Sequence, residues 1–198
     1  MSNFTKKALE NSLKKLLMQK PLNKITIQDI ADDCGINRMT FYYHFKDIYD
    51  LVEWACVEDA QAVLKGRKTY DTWQQGYLEL FRMVAENRIF VSNIYRCVGR
   101  EQAERYLTPL ADHLLCNVVD ELARGMVLRT EDKAFIARVY SYAFVGVMLD
   151  WLKDDMKEPP EQLVERFALV IQDSISGAVN RMRKDGQGSE KSLSKRPE

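Results

Sequence analysis

Histidine is nearly missing from this 198-residue chain, which holds only His44 and His113, and its four cysteines (Cys34, Cys56, Cys97, Cys116) form no C-x-x-C pair. Zinc, which wants clustered thiolates and imidazoles, has poor material here. Widely spaced thiols of this kind read as reduced, half-buried side chains of a cytosolic protein. Charge of one sign is lacking too: Lys+Arg and Asp+Glu balance at 29 each, so no global field points to a particular partner. No apolar signal core opens the chain and no uninterrupted apolar run approaches a membrane span, which predicts a soluble, cytoplasmic protein with no membrane partner. A glycine-rich phosphate loop, a nucleophile elbow, a His–Cys pair and closely spaced catalytic carboxylates are all absent, and Asp32-Asp33 and Asp154-Asp155 read as ordinary solvated acids. These gaps argue against an enzyme and against any cofactor.

What the chain does have is helical periodicity almost throughout, with no run alternating at period two. The expectation is an all-α fold of about nine helices. Residues 1–50 form a three-helix N-terminal helix-turn-helix domain, 51–183 a larger helical body, and 184–198, polar and Gly/Ser-rich, a disordered tail. A first helix is expected over about Thr5 to Gln19, with Leu9, Leu13, Leu16 and Leu17 on one face and Pro21 as its stop. Later helices are expected to start at an Asp71 cap with Gln74 three residues on, at Thr108-Pro109, at a Thr130 cap, and at Pro159-Pro160, the last running to about Arg183. Gly125 suits the left-handed end of the helix before Thr130. Positive charge is concentrated locally: within residues 1–28, Lys6, Lys7, Lys14, Lys15, Lys20 and Lys24 face the single acid Glu10, the local excess a DNA-binding module needs.

The informative stretch runs from Ile25 to Phe45. Thr26 caps a short helix with Asp29 at its third position, and Ile25 and Ile30 flank the cap as a hydrophobic staple. The device recurs with Asn37 as cap between Ile36 and Phe41. Two capped helices of about two turns, joined through Gly35, are the layout of a helix-turn-helix. Ile27, Ile30, Ala31, Ile36, Phe41 and Phe45 supply its core, leaving Arg38, Met39, Thr40, Tyr42, Tyr43 and His44 to point outward. Arg38 has the planar fork that pairs with guanine O6 and N7, and Met39 or the Thr40 methyl suits thymine. The hydroxyls of Tyr42 and Tyr43, the His44 imidazole and the Lys46 ammonium suit phosphate oxygens, as does Thr26 at a helix N-terminus.

The run Thr40-Phe-Tyr-Tyr-His-Phe-Lys-Asp47, preceded by Thr26-Ile-Gln-Asp-Ile-Ala31, closely resembles the N-terminal domain of the tetracycline-repressor (TetR/AcrR) family over roughly residues 5–55. The resemblance implies that Thr26, Asn37, Arg38, Met39, Thr40, Tyr42, Tyr43, His44 and Lys46 lie at a double-stranded DNA interface. It also implies a homodimer joined through the last two helices. The segment Arg88-Ile-Phe-Val-Ser-Asn-Ile-Tyr95 is similar to the subgroup that includes regulators of dihydroxyacetone-kinase operons.

For the C-terminal region the expectations are a self-association face and an effector cavity. Small residues (Ala137, Ser141 and Gly146; Ser174, Gly177 and Ala178) would let helices approach across a two-fold axis. Trp73, Tyr77 and Phe81, at every fourth residue, read either as an aromatic core stripe or, with Tyr95, Cys97, Leu114 and Tyr140 opposite, as the lining of a cavity for a small-molecule or protein effector. The function expected is a sequence-specific transcriptional regulator, acting as a repressor on a short palindromic operator. The alternative is a co-regulator of the same fold that binds protein and recognises no operator, which would be expected to lose Arg38, Tyr42, Tyr43 and Lys46.

Overall fold

The computed structural model describes residues 2–66, 69–171 and 173–183; the expected tail lies outside them. Nine α-helices and no strand occur among the described residues. They are α1 (Ser2–Leu17), α2 (Ile27–Cys34), α3 (Arg38–His44), α4 (Ile48–Val63), α5 (Trp73–Glu86), α6 (Arg88–Leu122), α7 (Thr130–Lys153), α8 (Pro160–Ile171) and α9 (Ser174–Met182), with a 3-10 turn at Leu22–Lys24. In α1, Leu9, Leu13 and Leu17 are fully buried at the expected spacing. The chain leaves the helix at Leu17, and the N–H groups of Gln19 and Lys20 still bond the Leu16 carbonyl just before Pro21.

Two apolar cores result. The first gathers Leu9, Leu13, Leu17, Ile30, Phe41, Phe45, Leu51 and Val52 with Phe90 and Ile94 from α6. The second gathers Tyr77, Phe81, Val119, Ile136, Leu149, Trp151, Val164 and Ile175. α6 serves both because it is broken: Gly99 has φ 74° and ψ 174°, a conformation only glycine adopts freely. The half before Gly99 docks on the first core, where the Asn93 side chain donates to the Leu17 carbonyl at 2.9 Å. The half after it packs against α7.

Four expected boundaries move. Pro109 lies inside α6 rather than at a helix start, so the ladder bond that residue 109 would donate to the Arg105 carbonyl is missing, and the true break is ten residues earlier at Gly99. α5 starts after Thr72, not Asp71, because the Thr69 and Thr72 hydroxyls bond each other at 2.7 Å and the Thr69 N–H donates to Thr72 Oγ1. Thr130 is the first helical residue of α7; extended Arg129 takes the cap position and its guanidinium holds the Asp132 carboxylate at 2.7 and 2.9 Å. The single final helix divides into α8 and α9 at Asp173, whose φ is 62°.

By length and composition α7 is the one helix among the described residues apolar enough to cross a membrane. Arg138 interrupts it, and Ile136, Ala137, Val145, Met148, Leu149 and Leu152 face the second core. Its other side is exposed at Phe135, Val139 and Tyr142. Of the small residues expected at a self-association face, Ala137 and Ser141 are buried in the monomer's own core, where the Ser141 hydroxyl bonds the Ala137 carbonyl at 2.8 Å. They have no surface left for a partner. Gly146, Ser174, Gly177 and Ala178 are half-buried.

Candidate nucleic-acid interface

The local chemistry of α2 sets the geometry of everything after it. Thr26 Oγ1 accepts from the Asp29 N–H at 3.1 Å, and the Thr26 N–H and hydroxyl donate to Asp29 Oδ2 at 2.7 and 2.8 Å, a closed capping box. The Lys20 ammonium lies 2.8 Å from the same oxygen. Lys20 first, then the Thr26 N–H and hydroxyl, hold the Asp29 carboxyl down to about 2. Both donors of Thr26 expected to face phosphate are therefore engaged by Asp29. Gly35, in the left-handed region at φ 63°, then turns the chain into α3.

Asn37 caps α3, its Oδ1 accepting from the Met39 N–H at 2.8 Å. Its side chain shapes the helix start. Phe41 is fully buried and Phe45 nearly so, with their rings 5.9 Å apart and Phe45 5.7 Å from Trp54. On the outer side Met39 is 70% exposed and Tyr43 82%; Arg38 and Lys46 are also exposed, while Thr40 and His44 are half-buried. Arg38 Nη2 donates to the Tyr42 hydroxyl at 2.9 Å and the guanidinium lies 5.4 Å from that ring's centre. Tyr42 thus fixes the direction of the Arg38 fork and leaves its other N–H groups to point outward. The His44 ring meets Tyr43 edge-on at 5.0 Å.

Charge is distributed differently from the sequence expectation. Lys14 bonds Glu10 and Asp59, each at 2.6 Å; Lys7 lies 2.8 Å from Glu10; Lys15 pairs with Asp33 and Lys20 with Asp29. Lys6 sits 5.3 Å from the Phe45 ring and 5.5 Å from Trp54. Most of the N-terminal lysine excess is consumed inside the domain. Lys24, two residues before the α2 cap, and Tyr49, in the first turn of α4, are exposed beside the expected set. Lys24 entered the sequence expectation only as part of the N-terminal lysine excess and Tyr49 not at all; their place flanking the two capped helices was the available signal.

Family models match two parts of the chain: "Bacterial regulatory proteins, tetR family" over residues 12–55, and "Transcriptional regulator C-terminal region" over residues 71–173. The chain belongs to the TetR family. It is a DNA-binding transcriptional regulator, and the family is not one of enzymes. Among curated proteins it is 26% identical, over 74% of its length and 78% of the relative's, to the HTH-type dhaKLM operon transcriptional activator DhaS of Lactococcus lactis subsp. lactis strain IL1403. A solved structure of the dihydroxyacetone kinase operon activator DhaS is similar at a TM-score of 0.64 and 21% identity, covering 91% of this chain and 98% of that one. The TetR family repressor AlkX of Dietzia sp. strain DQ12-45-1b is similar at a TM-score of 0.58 and 15% identity, covering 88% and 96%. At those identities the two structures share the fold.

Between α4, α5, α6 and α7 of this TetR regulator lie two apolar cavities of about 100 and 110 Å³. Of the expected lining, Trp73, Tyr77 and Leu114 face the first and Tyr95 the second. Phe81, Cys97 and Tyr140 do not line either. Phe81 is fully buried against Trp151 at 4.8 Å; Cys97 packs on the first core; the Tyr140 hydroxyl is hydrogen-bonded to Ser174 Oγ at 2.6 Å.

Proposed function

We propose that the protein binds a short two-fold-symmetric operator as a homodimer in the cytoplasm, placing α3 of each protomer in successive major grooves about one helical turn (~34–36 Å) apart. The observation that carries this reading is the outward face of α3, where Arg38, Met39 and Tyr43 are exposed on a helix anchored from behind by Phe41 and Phe45. Arg38, oriented by Tyr42, pairs with a guanine; Met39 and the Thr40 methyl contact thymine methyls. Tyr43, His44 and Lys46 contact phosphates, which set position without reading sequence.

Dimerisation is supported by the outer side of α7. Phe135, Val139 and Tyr142 are 60%, 46% and 59% exposed at i, i+4 and i+7, and Gly146 completes the stripe with open space above it. Leu169 and Val170 of α8 are exposed as well, at 74% and 71%. Large apolar side chains concentrated on the last helices are the kind of surface that buries itself against a second copy. An effector held in the interior cavities completes the reading. The sign of regulation follows from where the operator lies relative to a promoter; repression, the sequence expectation, is the outcome when the two overlap. DhaS is an activator and AlkX a repressor by name, so one fold serves both.

Selection of bound DNA from a random pool, followed by anisotropy on the recovered site, tests the proposal. A palindromic site is expected, and Arg38→Ala is expected to lose ~1–3 kcal/mol and relax sequence choice. Unchanged discrimination in Arg38→Ala would remove the base-reading role. A monomer by light scattering at micromolar concentration would remove the dimer.

A further inference from the structure

The two cavities are adjacent lobes that share one wall. Ala60, Leu80, Leu107 and Met148, from α4, α5, α6 and α7 respectively, line both. A single layer of aliphatic side chains therefore divides them, and Met148 and Leu80 can swing between rotamers without losing a hydrogen bond.

The walls carry no charge free to meet a ligand. Asp59 is the one ionised group lining either lobe among the described residues, and Lys14 holds it at 2.6 Å. Burial pushes the Cys56 thiol up to about 12 and raises the Tyr77 phenol as well, so both stay neutral. The polar groups are mostly satisfied already. Tyr77 donates to the Phe144 carbonyl at 2.6 Å, the Asn87 amide to the Met83 carbonyl at 2.8 Å, and the Tyr106 hydroxyl accepts from Gln102 at 2.7 Å. Among the described residues the Trp73 N–H, the Tyr95 hydroxyl, the Asn87 Oδ1 and the Cys56 thiol are the neutral polar groups of wall residues that make no hydrogen bond. An ion placed here loses its hydration and finds no counter-charge, at a cost of several kcal/mol.

Size narrows the ligand further. An apolar cavity of ~150 Å³ holds benzene, so neither lobe of about 100 and 110 Å³ takes a six-carbon ring alone. Joined, they take a flexible chain of about eight carbons on the same scale. We infer that the joined lobes bind one uncharged, mainly aliphatic molecule of about eight carbons, with at most one hydroxyl, threaded between Leu80, Leu107 and Met148. Its effect on DNA rests on the effector-responsive reading above; its binding rests on the wall chemistry.

The probes are 1-octanol, octanoate and octylammonium, titrated into the full-length protein and followed by calorimetry and thermal shift. Octanol is expected to saturate and to bind roughly tenfold or more tightly than either ion, whose charge the walls do not match. Ala60→Leu, which grows a branch into both lobes, is expected to abolish saturation while circular dichroism shows the folded helical content. Ala60→Val is expected to weaken it partially, and carries the test if the larger residue prevents folding. Octanoate or octylammonium binding as well as octanol, no saturable octanol binding, or wild-type octanol binding by a folded Ala60→Leu would each overturn the inference. Operator affinity is measured alongside. Octanol that binds without changing operator affinity upholds the site and refutes its role as an effector site, so the two claims fail separately.

Discussion

Replacing Gly99 by alanine isolates the break that lets α6 serve two cores. A Cβ at this position meets nothing within 4 Å, so the substitution adds no clash. Its cost is the backbone alone: φ 74° with ψ 174° is essentially closed to residues with a side chain, at ~1–3 kcal/mol. Alanine also restricts the unfolded chain, which offsets ~0.4–1 kcal/mol. The net destabilisation is about 0–2.6 kcal/mol. Straightening the helix is no escape, because it would pull Phe90 and Ile94, each 6% exposed, out of the first core, and such side chains are worth ~1.5–3 kcal/mol apiece. At ~2–4 °C per kcal/mol for a chain of this size, the midpoint of thermal unfolding falls by up to roughly 10 °C. Gly125, at φ 77° beyond the end of α6 with equally open space, is the control. Its alanine variant also loses stability but leaves operator affinity unchanged, whereas Gly99→Ala weakens it by tilting the half of α6 beneath the reading head. Circular dichroism melts and DNA anisotropy supply both readouts, and a Gly99→Ala protein melting above the wild-type temperature, or binding operator as the wild type does, would refute the reasoning.

Three further outcomes are expected. Tyr42→Phe keeps the ring but removes the 2.9 Å hydrogen bond to Arg38, and discrimination between matched and mismatched operators drops by ~0.5–1.5 kcal/mol; equal discrimination would show that the fork needs no orienting partner. Asp29, held at about 2 chiefly by Lys20, has a folded pKa below its ordinary value, so its stabilisation is complete above about pH 4 and is lost as pH falls through about 2. The stability gap between wild type and Asp29→Asn should therefore close across that acid range, and a gap that stays constant with pH would contradict the pairing. Val139→Glu, on the exposed α7 stripe, should yield a folded monomer by light scattering; a persistent dimer would place the interface elsewhere.

The parts of this fold legible in the sequence are those set within four or five residues. The Thr26–Asp29 capping box, the Asn37 cap and the Gly35 turn depend on side chains reaching their own backbone, so residue type and spacing suffice. The Leu9-Leu13-Leu17 stripe is equally local. The α6 break was misplaced because proline is the louder signal: Pro109 suggests a boundary, yet a long, well-packed helix absorbs it, while Gly99 gives no positional hint of ψ 174°. The aromatic spacing of Trp73, Tyr77 and Phe81 identified one face of α5 and the cavity beside its first two rings, but not that Phe81 lies outside it. Trp151, seventy residues on from Phe81, fills the space at one end and leaves it open at the other.

The lysine-rich N-terminus shows how far local composition can mislead about a DNA-binding surface and still matter to it. α3 has seven residues, too short to hold a helix by itself, so its direction comes from what lies under it. Lys14 ties α1 to Asp59 of α4, Lys15 ties α1 to Asp33 of α2, and Lys20 fastens the chain before α2 to Asp29. These acids lie up to 45 residues from their lysines, which is why the excess looked unpaired in sequence. Exposed pairs contribute little stability singly, but the Lys14 pairs are part-buried around a Glu10 carboxylate with no exposure at all, where geometry is costly to break. The charges that a phosphate-binding reading assigns to DNA are thus spent holding α1, α2 and α4 in register. α3 is thereby presented with Arg38 and Lys46 exposed to carry the contacts.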